Sequence, residues 1–289
     1  MRLHPFGLVE PESLSEALDA VTRLDGEARL VAGGTALVPM IRLGLVKPDR
    51  LVSLHRVPAL AEIRVDGAAL EIGAMATHAD IERSRVVREG WPLLAEAVRR
   101  VATPAIRTSG TIGGNLAYAE AASDPAPALL CHDAEVRVAG PRGSRTVPIA
   151  RFFRGFYEAA LEPGEIVTAL RVPPPPAGAR GGYIKFTSRS AEDKPLVGVA
   201  ALIVLDSAGR CADIRVALGG SAPTPIRAEG AERTLRGEAL SDTVAHAAAE
   251  TAARDADPLS DLMGSADYRR EMIRVWVRRL LLALRDGTR

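Results

Sequence analysis

Cysteine is almost missing from this 289-residue chain, whose only thiols are Cys131 and Cys211. Two are too few for the four thiolates that an iron–sulfur cluster usually takes, so any such cluster must sit on another chain. A disulfide between them is less expected than two buried thiols in a reducing compartment. The five histidines, at positions 4, 55, 78, 132 and 246, show no HExxH or comparable spacing, which argues against a metal site. Net charge is nearly absent too: 37 Lys plus Arg face 36 Asp plus Glu, a formal +1, so no basic field points to nucleic acid. No apolar run approaches the ~20 residues of a membrane helix, and the start Met1-Arg-Leu-His-Pro-Phe6 lacks the apolar stretch of a secretory leader. The expectation is a cytoplasmic chain with no integral membrane segment. Also lacking are a Gly-x-Gly-x-x-Gly joining a strand directly to a helix and a Gly-x-x-x-x-Gly-Lys-[Ser/Thr] loop. That excludes a Rossmann domain and a P-loop nucleotide site.

What is present is a globular composition, 47% hydrophobic and 25% charged, long enough for one large or two ordinary domains. Two glycine-rich turns stand out, Val31-Ala-Gly-Gly-Thr35 and Thr111-Ile-Gly-Gly-Asn115, each read as joining an apolar strand-like run to a small-residue segment. As a pair, with Asp124 after the second, they suggest two backbone cradles closing on one long phosphate-bearing ligand. Glycine lets the main chain approach closely and present N–H groups, while Thr and Asn side chains add neutral hydrogen bonds. Two tight loops without a ligand is the competing reading of either motif alone.

Ser13-Leu-Ser-Glu16 has the form of a capping box and opens a helix through Leu24, and strands follow at 28–32 and 51–55, a small βαβ-like unit. A hairpin is expected around Asp66-Gly67, then helices over 77–84 and 91–101. A short helix is expected from Asp124 to Leu130, where Asp124 can serve as N-cap, then strands at 134–138 and 165–172. Pro173 to Pro176 reads as a stiff linker and marks a domain boundary. Beyond it come three antiparallel strands, at 182–188, 198–205 and 211–218, the last two joined by Asp206-Ser-Ala-Gly209, and two helices, at 242–254 and 266–284. The last helix carries Met272, Val275, Trp276, Arg279 and Leu280, a stripe read as core rather than as a cofactor contact.

The phrases Val31-Ala-Gly-Gly-Thr-Ala-Leu-Val-Pro39, Ile106-Arg-Thr-Ser-Gly-Thr-Ile-Gly-Gly-Asn-Leu-Ala117 and Gly264-Ser-Ala-Asp-Tyr-Arg-Arg270 resemble the FAD-binding medium subunits of molybdenum hydroxylases. Phe152-Phe-Arg-Gly155, Glu162-Pro-Gly-Glu-Ile166 and Lys185-Phe-Thr-Ser-Arg189 fall between them in family order, so the resemblance covers nearly the whole chain. It implies an α+β fold: a two-part FAD-binding domain of the vanillyl-alcohol oxidase type over residues 1–175 (subdomains about 1–56 and 57–175), then a smaller antiparallel-sheet-plus-helices domain over 176–289. It implies that Val31, Ala32, Gly33, Gly34, Thr35, Ala36 and Leu37 meet the pyrophosphate. Thr111, Ile112, Gly113, Gly114 and Asn115 would follow the phosphate and ribityl portion, and Asp124 would accept from flavin hydroxyls. Val101, Val167 and Lys185 align with further contacts, against the alternative that Lys185 is a solvated lysine at a strand edge.

The same resemblance implies an oxidoreductase subunit that relays electrons. A large subunit would hold the molybdenum cofactor, a small one the [2Fe-2S] clusters, and FAD on this chain would pass electrons to a quinone, NAD or oxygen, in a dimer of heterotrimers. The chain departs from the family at Tyr118, Glu120 and Ala121, where a Ser-Pro or Asp-Pro pair is common, and at Thr108, where Asn is common. A self-sufficient FAD oxidase or reductase of the same fold, and a non-catalytic FAD-binding scaffold, are the alternatives.

Overall fold

The computed structural model describes residues 4–24 and 28–288; Met1 to Leu3 of the segment read for a leader lie outside them. Three parallel strands begin the chain, in the order Gly7–Val9, Arg50–Ser53, Ala28–Val31. Parallel neighbours need crossovers, and the helices Leu14–Arg23 and Leu37–Arg42 lie within them. Ser13 caps the first helix, its Oγ accepting from the Glu16 N–H at 3.2 Å. The Glu16 carboxylate reaches back to the N–H of Glu12, not of Ser13, so the box closes one residue early. Strand Gly7–Val9, too short for a period-2 pattern, was not anticipated.

The second lobe is a five-stranded antiparallel sheet in the order Ile63–Asp66, Ala69–Gly73, Ile166–Val172, Glu135–Gly140, Gly143–Pro148. Its first hairpin turns at Gly67, whose φ of 62° suits glycine. Helices His78–Arg83, Arg85–Gly90 and Pro92–Arg99 follow the hairpin. The middle one fills the gap that the sequence reading leaves between its two expected helices. Ser84 ends one helix and starts the next, its Oγ accepting from the Val87 N–H at 3.4 Å.

After Pro173–Pro176 the chain forms a four-stranded antiparallel sheet, Arg180–Phe186, Val197–Leu205, Cys211–Gly219 and Ile226–Arg227 in that order. Helices Glu229–Leu235, Asp242–Asp255 and Ala266–Asp286 complete it. The last strand and helix Glu229–Leu235 were not expected from the sequence. Successive residues of a strand face opposite sides, and here both sides are buried. Tyr183, Ala200, Leu202 and Ala217 join the core of the second lobe. Val199, Ala201, Ile203 and Val216 pack with the C-terminal helices. The core line of the last helix is Ile273, Val277, Leu280, Leu281 and Leu284. Of the stripe named from sequence only Leu280 belongs to it; Met272 and Trp276 pack at its margin, and exposed Arg279 lies 4.8 Å over the Trp276 ring. Cys131 and Cys211 are both buried and free.

Candidate functional site

Where strand Ala28–Val31 ends, residues 32–36 carry the chain into helix Leu37–Arg42. Gly34 turns with φ 69°, and Gly33 has no room for a side chain: a Cβ there would sit 1.8 Å from the Ser109 carbonyl oxygen. The first glycine motif is thus pressed directly onto the segment that leads to the second. None of the backbone N–H groups of Ala32, Gly33, Gly34, Thr35, Ala36 and Leu37 finds an acceptor among the described residues; the first N–H taken up is that of Val38, by the Gly34 carbonyl at 2.9 Å. Consecutive unpaired N–H groups form a concave donor array suited to anionic oxygens.

The second motif is built differently. It follows helix Pro104–Arg107 rather than a strand, and it is itself the first turn of helix Ile112–Tyr118. Thr111 caps that helix, accepting the Gly114 N–H at 3.1 Å. The N–H groups of Ile112, Gly113 and Asn115 go to the carbonyls of Ala76, Ala74 and Thr111 at 3.0, 2.9 and 2.9 Å. The N–H groups of residues 112–115 are therefore spent inside the chain. Gly113 is required by the approach to Ala74, 2.5 Å from where its Cβ would lie. Of the two backbone cradles expected, the first presents unpaired N–H groups and the second is a packed helix start. What the second segment offers is side chain: Asn115 accepts from Ser123 Oγ at 2.6 Å through Oδ1, leaving its amide NH2 as a donor.

Between the motifs lies a cavity of about 340 Å³, within the size class of small-molecule sites. All of residues 31–37 line it, with Thr111, Gly113, Gly114 and Asn115, and so do Val101 and Val167. Ile112 does not; it is fully buried in the core. The apolar wall also includes Met40, Ile106 and Leu161, and one buried imidazole, His78, faces the cavity. A donor array beside a largely apolar chamber fits the two ends of a dinucleotide flavin. The sequence shows His78 only as one of five histidines without metal spacing; its place just after Thr77, at a helix start, is the one local signal it carries.

Asp124 and Lys185 come together, but not on the lining of this cavity. Asp124 accepts from Tyr183 Oη at 2.8 Å and from Lys185 Nζ at 3.1 Å, and Lys185 also donates to the Arg100 carbonyl at 2.7 Å, next to the lining residue Val101. Burial raises the Asp124 pKa to about 6, against the opposing pull of Lys185 and Tyr183. Asp124 occupies the N-cap position of helix Pro125–Cys131 yet makes no side-chain cap bond. The Lys185 side chain is 3% exposed, which rules out the solvated strand-edge reading. At the departures, Glu120 accepts from Tyr157 Oη at 3.0 Å and from Lys194, and the Tyr118 and Tyr157 rings stand 5.0 Å apart. Thr108 ends helix Pro104–Arg107, exposed and clear of the cavity. Among the described residues no cluster of His, Cys, Asp and Glu could hold a metal ion, and no helix is long and apolar enough to cross a membrane.

Residues 4–175 match the family described as the FAD binding domain in molybdopterin dehydrogenase, and residues 182–284 match the CO dehydrogenase flavoprotein C-terminal domain. The carbon monoxide dehydrogenase medium chain of Hydrogenophaga pseudoflava is 37% identical over 94% of this chain and 94% of its own length. The 6-hydroxypseudooxynicotine dehydrogenase complex subunit alpha of Paenarthrobacter nicotinovorans is 34% identical over 97% and 95%. A solved carbon monoxide dehydrogenase from Hydrogenophaga pseudoflava superposes with a TM-score of 0.95 at 37% identity, covering 100% of both chains. With matches of this extent on both halves, the chain belongs to the FAD-binding medium subunits of the molybdenum hydroxylases, the flavoprotein components of oxidoreductases such as carbon monoxide and xanthine dehydrogenase.

Proposed function

We propose that this chain holds FAD between its two N-terminal lobes and relays electrons from iron–sulfur clusters on a small partner subunit to an external acceptor. A large partner subunit with the molybdenum cofactor would oxidise the substrate. The observation that carries the reading is the run of six unpaired N–H groups, Ala32 to Leu37, on the wall of the inter-lobe cavity. This array would take the pyrophosphate. Thr111 to Asn115 contribute close approach and the Asn115 amide, with Val101 and Val167 as apolar wall. Asp124 and Lys185, off the lining, brace residues 100–101 through the Lys185 bond to the Arg100 carbonyl, and would meet flavin hydroxyls only if the cofactor reaches past the cavity wall. Held there, FAD would supply the one- and two-electron redox chemistry that no side chain here can.

The wider reading places the domain division at residues 175 and 176 and the complex in the cytoplasm as a dimer of heterotrimers, with a quinone, NAD or oxygen as acceptor. The test is flavin content. The purified chain should show a flavin spectrum, or acquire one with added FAD, and release FAD on heating. Asn115→Asp is nearly isosteric and keeps the acceptor for Ser123, but sets a carboxylate where the pyrophosphate should pass. It should weaken FAD binding about tenfold, roughly 1.4 kcal/mol, and less at high salt, with an unchanged melting temperature. FAD affinity equal to wild type would remove the phosphate assignment. Turnover by the chain alone, without partners, would favour a self-sufficient flavoenzyme over the relay.

A further inference from the structure

His78 is the first residue of helix His78–Arg83 and is only 2% exposed. Its backbone N–H donates to the Gly110 carbonyl at 2.9 Å, which ties it to the start of the second motif. Gly110 makes room for the ring, since a Cβ there would come 3.2 Å from His78 Cδ2. The ring lines the inter-lobe cavity. Its Nδ1 is sealed in protein with no hydrogen-bond partner, whereas Nε2 is not among the sealed, unpartnered atoms and has no protein partner either. Nε2 is therefore the ring atom left accessible, on a side chain whose accessible neighbourhood is the cavity.

The protonation state follows from the surroundings. Burial first, and the Arg107 cation second, lower the His78 pKa to about 4, so the ring is neutral at physiological pH and carries a single N–H. With the proton on Nδ1, a buried donor would face no acceptor, the kind of orphan that folded proteins least tolerate. With the proton on Nε2, only a lone pair is enclosed, and the donor points where a ligand can meet it.

Resting on the FAD reading above, we propose that His78 is a neutral hydrogen-bond donor to the bound dinucleotide, presenting its Nε2–H to a cofactor oxygen, on the pyrophosphate or on the flavin half. It is a binding and positioning group, lining the same cavity as the Ala32–Leu37 array but supplied by the other lobe.

Nitrogen NMR of the FAD-free protein should show His78 as the Nε2–H tautomer, and added FAD should move the Nε2 resonance while Nδ1 stays. An Nδ1–H tautomer overturns the proposal. His78→Phe should weaken FAD binding about tenfold while the FAD-free melting temperature reports on folding. His78→Gln, whose amide can reach the Nε2 position, should recover most of the loss, and the shorter His78→Asn should not. Titration with ADP separates the two possible acceptors: a parallel loss of ADP affinity puts the oxygen on the pyrophosphate half, and a loss with FAD alone puts it on the flavin half. Wild-type protein that takes up no FAD refutes the cofactor reading and this inference with it. Wild-type protein that binds FAD no better than His78→Phe overturns this inference and leaves the cofactor reading intact.

Discussion

At the scale of single residues, two buried histidines and one buried aspartate set the response to acid. Burial, aided by Arg107 and Arg215 respectively, lowers His78 and His132 from 6.5 to about 4. In the unfolded chain both take up protons below 6.5, and in the folded chain not until about 4, so the unfolded state binds more protons between and stability climbs with pH over that window. Asp124, raised from 3.8 to about 6, acts oppositely: the folded state keeps a proton that the unfolded state has lost, so its contribution falls as pH rises from 3.8 to 6. Two against one gives a net gain. The melting temperature should be higher at pH 7 than at pH 4.5, His132→Gln should flatten the difference by on the order of 3 kcal/mol, and Asp124→Asn should steepen it. A flat profile in the wild type would contradict this balance. Little of it was legible in the sequence, because burial is a tertiary property. Lys185 reads as an ordinary strand lysine until the fold brings it to Asp124, and His78 reads as one more histidine until a cavity forms beside it.

At the scale of elements, the glycines divide by what they touch. Gly33→Ala must displace the Ser109 backbone, so it should cost several kcal/mol, as overpacking of fixed backbone does, and should remove FAD binding as well. Gly90 has no atom within 4 Å of its would-be Cβ and no positive φ, so Gly90→Ala should leave both unchanged. Chemical denaturation of the two variants, with flavin content read on each, separates packing glycines from permissive ones. The longer elements were legible because caps and periodicity agree: Ser13 caps where expected, the helix expected from Thr77 begins one residue later at His78, and Gly67 turns its hairpin. The second glycine motif was misread for a physical reason. Two adjacent glycines weigh against a helix by intrinsic preference, but the carbonyls of Ala74 and Ala76, just past strand Ala69–Gly73, take the N–H groups of Gly113 and Ile112, and Thr111 caps the turn by accepting that of Gly114. Pieces such as Ile226–Arg227 and Phe153–Gly155 are too short to hold a period and exist because a neighbouring strand or hairpin partner accepts them.

For the whole molecule, the proline run at 173–176 marks where the chain crosses, but the cores do not separate there. Strand Val197–Leu205 gives alternate residues to two cores, one shared with the second lobe and one with the C-terminal helices. The sequence shows this strand as an unbroken apolar run, which signals burial on both faces without saying by what. Residues 176–289 expressed alone would expose Tyr183, Ala200, Leu202 and Ala217, so they should bind hydrophobic dye or aggregate, whereas the full chain should unfold in one transition. A soluble, cooperatively folding fragment would show that the shared core is dispensable. The seat of Gly33 on the Ser109 carbonyl also orders events in time. Neither wall of the inter-lobe chamber exists alone, so during translation the chamber forms only after the ribosome has released the segment through Val167 and the lobes have met. Chain synthesised without flavin should therefore fold with an empty chamber and take up FAD added afterwards.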